Sequence, residues 1–129
     1  MAKETKKVNA YGGVNETLDI YGAFGWKLLS QSGTYGLNLE LYRDTEIPHY
    51  EELVKAEALY EAKKKEYHNL PRPVKPEEPK FFDFKGRKEY PQKLKEYFHA
   101  DTVFSDTQSR LWNEMKQIVN DCRLKYFTD

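Results

Sequence analysis

The spacing of apolar positions changes several times along the chain, and each change marks an element. Val14, Leu18 and Tyr21 recur at helical intervals with Phe24 a turn further on, which predicts an amphipathic helix of about ten residues. Asn15 is placed to cap that helix, and Gly25 sits where a helix ends on a residue tolerant of positive φ. Ahead of it, Lys7–Tyr11 has the length of a short strand and is closed by Gly12-Gly13. Behind it, Trp26–Ser30 is rich in apolar residues, Ser32-Gly33 is turn chemistry, and Tyr35–Arg43 alternates. Tyr35, Leu37, Leu39 and Leu41 share one face of that strand, and Gly36, Asn38, Glu40 and Tyr42 the other. The order is β-α-β-β, with the last two strands an antiparallel hairpin whose leucines face the helix.

Pro48 suits the first turn of a second helix running to about Tyr67, where Glu51 and Glu52 complement the dipole. Its apolar stripe of Leu53, Ala56, Tyr60 and Tyr67 is thin; Glu57, Glu61 and Lys65, at four-residue spacing, read as a solvated face. Four prolines between Leu70 and Pro79 exclude a helix or a central strand, so this segment runs extended, near polyproline II. Phe81, Phe82 and Phe84 follow at once and predict that the arm packs on its own domain or on a partner. Pro91 opens a short helix to about His99, and Ser105-x-x-Gln108 is a capping box that starts the longest amphipathic run. There Trp112, Met115, Val119, Cys122 and Tyr126 step by three and four.

The expected fold is therefore α+β: a small β-α-β-β sheet unit packed by helices, with a Pro-rich arm and a C-terminal amphipathic helix. Residues 1–68 hold the sheet unit and the Glu/Lys-rich helix, 69–90 the Pro/Phe-rich extended arm, and 91–129 a helical segment packing on the same single domain.

The run Tyr21-Gly22-Ala23-Phe24-Gly25-Trp26-Lys27-Leu28-Leu29 resembles the G-W-E-L signature of small bacterial β-α-β-β proteins of unknown function. In that pattern a helix ends in Gly and Trp opens the next strand. The continuation from Leu39 through Pro48 into a Glu/Lys-rich helix is similar to a Firmicutes-type subgroup whose members often carry further, sometimes membrane-spanning, segments. The likeness covers residues 5–68. Lys27 stands where Glu is usual, and the membrane segment is lacking. The family implies a fold and a bacterial setting; it has no assigned activity to carry over.

Composition narrows the function classes. The chain has 129 residues, with 21 basic and 21 acidic side chains, so bulk charge does not make it a nucleic-acid binder. Ten Tyr, seven Phe and two Trp are too many aromatics for a disordered chain. A lone Cys122 forms no intramolecular disulfide and no Cys-based zinc site, which fits a reducing, cytoplasmic location. The N-terminal Met-Ala-Lys-Glu-Thr-Lys-Lys has no apolar stretch behind it, so no signal peptide is expected, and no apolar run spans a bilayer.

Chemistry-bearing motifs are few. His49, His68 and His99 each fall at a helix terminus, and none pairs with another at metal-ligand spacing. No nucleophile elbow or phosphate loop occurs, and Gly12-Gly13 before a helix reads as a turn. The expectation is a protein that is not an enzyme and takes no metal or cofactor. It acts on another protein or a second copy of itself, as a homodimer, without a membrane. Tyrosine-rich surfaces give large contact area at low entropy cost, which singles out Tyr35, Tyr42, Tyr60 and Tyr67 together with Phe81, Phe82 and Phe84. The alternative is single-stranded nucleic-acid binding through the basic, aromatic arm 72–95, where Lys85, Arg87 and Lys88 would hold phosphate and the phenylalanines would stack on bases.

Overall fold

The computed structural model describes residues 3–127. Met1, Ala2, Thr128 and Asp129, which belong to the leader reading and to the outer limits of segments 1–68 and 91–129, lie outside the described residues. The chain forms β1 (Lys3–Asn9), α1 (Val14–Gly22), β2 (Lys27–Ser32), a 3₁₀ turn (Thr34–Gly36), β3 (Asn38–Asp44), α2 (Tyr50–His68) and α3 (Phe84–Tyr126). This is an α+β fold. It divides into two compact units, residues 1–62 with 115–129, and residues 63–114.

In the first unit the strands lie in the order β1-β3-β2, and both pairings are antiparallel. The central strand β3 buries Leu39 and Leu41 completely, whereas the edge strands bury none of their residues fully. Tyr21, Phe24 and Trp26 from α1 and the turn after it, Leu53 and Tyr60 from α2, and Met115, Val119 and Cys122 from the end of α3 complete this core. Arg123 Nη2 donates to Asp19 O at 3.0 Å, and the His49 and Tyr126 rings lie 4.8 Å apart, which fixes the last turns of α3 in this unit.

The helix stop at Gly25 forms as expected. Trp26 N donates to Tyr21 O at 3.1 Å and Gly25 N to Gly22 O at 3.1 Å, a Schellman closure with Gly25 at φ 93°. A Cβ there would stand 2.7 Å from Ile47 Cδ1. The other end differs from expectation. The residue before α1 is Gly13, at φ 115°, and Asn15 already lies inside the first turn. Thr17 Oγ1 donates to the Gly13 carbonyl at 2.8 Å.

Three further boundaries move. β1 runs Lys3–Asn9, because its register against β3 begins at Lys3 opposite Asp44. Tyr35 and Gly36 leave the predicted strand for the 3₁₀ turn, where Tyr35 takes φ 59° between Gly33 at 84° and Gly36 at 69°. Before α2, Asp44 Oδ1 accepts from Glu46 N and His49 sits at φ 63°, so Pro48 belongs to the turn and the helix opens at Tyr50.

In the second unit the end of α2, the arm and the first three-quarters of α3 run alongside one another. Lys63 Nζ binds Glu114 Oε2 at 2.6 Å, the Tyr67 ring lies 6.0 Å from Trp112, and the Arg72 guanidinium lies 5.7 Å from the Phe104 ring. At the far end Arg87 Nη1 donates to Phe81 O. The arm thus runs antiparallel to α3, and the two lengths agree. At ~3.1 Å per residue a polyproline II chain covers about 28 Å from Arg72 to Phe81; at ~1.5 Å per residue a helix covers about 26 Å from Arg87 to Phe104. Leu70, Pro73, Pro76 and Pro79 are the half-buried positions of the arm, the three-residue period of that conformation. On α3 the half-buried stripe is Tyr90, Leu94, Tyr97, Phe104 and Gln108, leading to the fully buried Leu111.

The predicted break in the C-terminal region is absent. Phe84–Tyr126 is one helix with Pro91 inside it. Its cap is Asp83, whose Oδ1 accepts from Gly86 N at 2.9 Å, in place of the Ser105 capping box. A Cβ on Gly86 would collide with the Asp83 carboxylate, so the cap and the glycine belong together. Pro91 lacks the N–H that would reach Arg87 O, a loss confined to one carbonyl on an exposed stretch.

Candidate functional site

Two features stand apart from ordinary packing: a charge network on the inward sheet face and an exposed aromatic turn at the start of α3. The network begins with alternation. Leu39 and Leu41 are in phase with Arg43, so β3 delivers a guanidinium to the core, 4% exposed. Register places Glu4 opposite Arg43 and Lys6 opposite Leu41 on the same face. From α2, Glu57 lies between Leu53 and Tyr60 on the packed face and is 8% exposed.

Glu57 is the centre. Its Oε1 accepts from Arg43 Nη1 and Trp26 Nε1, each at 2.7 Å, and its Oε2 pairs with Lys6 Nζ at 2.7 Å. Arg43 also donates through Nε to Glu4 Oε1 at 2.6 Å and through Nη1 to Phe24 O at 2.9 Å, and its guanidinium lies 4.3 Å from the Trp26 ring. Tyr21 OH donates to Glu61 Oε1 at 2.7 Å, and Tyr50 OH to Glu4 Oε1 at 3.0 Å. Burial, then the bond to Glu61, pushes the Tyr21 phenol far above its ordinary value. Burial, then the Glu61 charge, pushes Tyr60 up to about 12. Among the described residues no buried side-chain nitrogen or oxygen lacks a partner. With every member partnered, the network avoids the cost of an uncompensated charge between the sheet and α2.

The aromatic turn is the opposite case. Phe81, Phe82 and Phe84 are 81%, 72% and 77% exposed, on a turn held by the Asp83 cap and by Arg87. The Arg87 guanidinium lies 5.3 Å from the Phe81 ring and Lys80 Nζ 6.0 Å from that of Phe82, so cations border the rings without covering them. Lys85 and Lys88 are exposed beside them. The arm therefore packs through its prolines, and the phenylalanines expected to anchor it face outward.

The predicted tyrosines separate. Tyr35 is 91% exposed in the 3₁₀ turn. Tyr42 is half-buried on the outer sheet face, with Lys3 Nζ 5.2 Å from its ring. Tyr67 is half-buried against Trp112. Tyr60 is corrected: it is 5% exposed, edge-on to Tyr21 and 5.5 Å from the Phe24 ring, so a partner could not reach it without opening the core. The structure brings Phe81, Phe82, Phe84, Lys85, Arg87 and Lys88 together and leaves Tyr35 in the turn between β2 and β3 and Tyr42 on the outer face of β3.

The histidines do not converge; His49 stacks on Tyr126, His68 lies 5.4 Å from Tyr67, and His99 is exposed. Cys122 is buried and free, and burial raises its thiol pKa. Among the described residues no cluster of three or more His, Cys, Asp or Glu could hold a metal ion, and no helix is long and apolar enough to cross a membrane. No protein-family model matches the chain, and neither a curated protein nor a solved structure is similar to it.

Proposed function

We propose that the protein is a non-catalytic binding module of a bacterial cytoplasm that acts on another protein through the aromatic turn and the exposed face of α3. The observation that carries this reading is the exposure of Phe81, Phe82 and Phe84 on a turn ordered by its own cap and arginine. Three exposed phenylalanines within four residues lose solvent-facing area only when something covers them, and aromatic anchors of this kind dominate protein contacts. The Glu57 network supports the non-catalytic part, since its donors and acceptors are engaged with one another. The G-W-E-L likeness of residues 5–68 adds a fold and no reaction.

The second reading, single-stranded nucleic acid on the same turn, is favoured by one observation: Arg87 and Lys80 beside the Phe81 and Phe82 rings place cations next to stacking surfaces. One experiment separates the two. Tagged protein is used for capture from bacterial lysate, with and without nuclease and at low and moderate salt, beside the variant Phe81→Ser/Phe82→Ser/Phe84→Ser. The first reading predicts a discrete protein that survives nuclease and salt and is lost with the variant. Recovery that disappears with nuclease and with Lys85→Glu/Arg87→Glu/Lys88→Glu would replace it with the second.

A further inference from the structure

The first turns of α3 carry a charge pattern of their own beside the aromatic turn. Lys85, Lys88, Gln92, Lys95 and His99 step by three, four, three and four, and all are exposed. At ~3.6 residues per turn this stripe lies about half a turn from the half-buried Tyr90, Leu94 and Tyr97, and it runs for about 21 Å. Phe84 stands at its N-terminal end.

Charge is uneven there. Between Lys80 and Lys95 stand six basic residues and two acidic ones, in a chain whose 21 bases and 21 acids balance. Both acids are engaged within the segment: Asp83 Oδ1 caps Gly86 N at 2.9 Å, and Glu89 lies 3.8 Å from Lys93 Nζ. Glu96, on the flank of the stripe, accepts from Gln92 Nε2 at 3.3 Å. Lys85, Lys88 and Lys95 enter no ion pair with any described residue. Cations elsewhere are treated differently: Lys6, Arg43 and Lys63 each hold a carboxylate at 2.7 Å or closer.

We infer that the partner of this face is an acidic surface of another protein: a row of carboxylates about 20 Å long, matching the stripe, beside an apolar patch that takes the phenylalanines. The rings supply affinity by leaving water, and the unpaired lysines select the partner and speed its encounter. A second copy of the chain is the wrong occupant, because a two-fold contact would set this stripe of cations against itself. The inference rests on the protein-binding reading of the turn and names the chemistry of what it binds.

The test uses the full chain and three labelled probes: two helical peptides with the same leucine face, flanked by glutamates in one and by lysines in the other, and an oligothymidylate. At low salt, fluorescence anisotropy should show the acidic peptide binding about tenfold more tightly than the basic one. Lys85→Glu/Lys88→Glu/Lys95→Glu should reverse that preference. Phe81→Ser/Phe82→Ser/Phe84→Ser should weaken the acidic peptide about tenfold and leave the preference standing. Carbodiimide, which joins amines to carboxylates in contact, should link the acidic peptide to Lys85, Lys88 or Lys95. Far-ultraviolet dichroism confirms that each variant folds. An acidic peptide that binds no more tightly than the basic one overturns the inference, as does a preference that survives the charge reversal. Tighter binding of the oligothymidylate than of the acidic peptide also overturns it and assigns the cations to phosphate. A preference lost while binding still depends on the phenylalanines removes this inference alone; binding that the phenylalanine variant leaves at full strength removes the turn as anchor, and with it the reading on which the inference rests.

Discussion

Glu57→Ala is the substitution on which the structural account depends most. It removes at once the acceptor of Arg43 Nη1 and Trp26 Nε1 and the partner of Lys6. Arg43 keeps Glu4, one-third exposed, and the Phe24 carbonyl, so its charge is only partly uncompensated; the Trp26 N–H is orphaned outright. Breaking a buried pair by removing one member costs ~3–5 kcal/mol, and an orphaned buried donor ~1–3 kcal/mol. The surviving Glu4 contact places the total near the lower end of the first range, about 3 kcal/mol. For a chain of this length that is roughly 10–15 °C in Tm. Urea unfolding followed by tryptophan fluorescence reads it as a fall in midpoint at constant slope. Glu57→Gln keeps an acceptor for Trp26 and should lose about half as much. Glu61→Ala, at a more exposed carboxylate, removes the acceptor of the Tyr21 hydroxyl and a second partner of Lys6 and should lose less, about 1–2 kcal/mol. A Glu57→Ala protein within ~1 kcal/mol of wild type, or no weaker than Glu61→Ala, refutes the argument that this network holds the sheet to α2.

Other outcomes follow from the same geometry. Tyr60 has its folded pKa raised above the ordinary value near 10 to about 12, and Tyr21 is raised further, so the stability they confer is complete below pH ~10; the Tyr60 part is lost as pH rises through 10–12 and the Tyr21 loss continues above that window. In an alkaline titration, the 295 nm phenolate signal that Tyr21→Phe/Tyr60→Phe removes should appear together with loss of ellipticity; appearance before unfolding would contradict the burial. Phe81→Ser/Phe82→Ser/Phe84→Ser should change unfolding free energy by less than ~1 kcal/mol, because the rings are already in water; a larger loss in urea would show that they pack. Cys122 should react with a thiol reagent only at the unfolding rate, and rapid labelling of native protein would place it at the surface.

The sequence was readable where backbone geometry or an uninterrupted apolar period decides the structure. Gly25-Trp26 announces a helix stop followed by a strand because few residues accept φ 93°. Leu39 and Leu41 announce an inward face by alternation. Arg43 and Glu57 escaped the same logic because they are charged: Arg43 is in phase with the leucines but carries no apolar side chain to mark their face, and Glu57, in phase with Leu53 and Tyr60, reads as solvated at its four-residue spacing from Glu61 and Lys65. Lys6 and Glu4 hid the length of β1 for that reason. The arm was legible as extended from its four prolines, but which side it packs was not. Its three-residue period puts prolines against the second unit and leaves the phenylalanines out. Pro91 and Ser105 suggested a helix break and a new start. Capping by Asp83 and the continuing stripe through Tyr90, Leu94 and Tyr97 carry one helix across both positions.

The central claim is that the exposed aromatics of the second unit, rather than the sheet, make the protein's contacts. Its most direct measurement compares partner retention by two variants of matched stability, Phe81→Ser/Phe82→Ser/Phe84→Ser and Tyr35→Ser/Tyr42→Ser, in nuclease-treated lysate at moderate salt. The account predicts that the first loses the captured protein and the second retains it at the wild-type level. Loss from the tyrosine variant with retention by the phenylalanine variant would contradict it and move the contact surface to the sheet unit, at β3 and the turn before it.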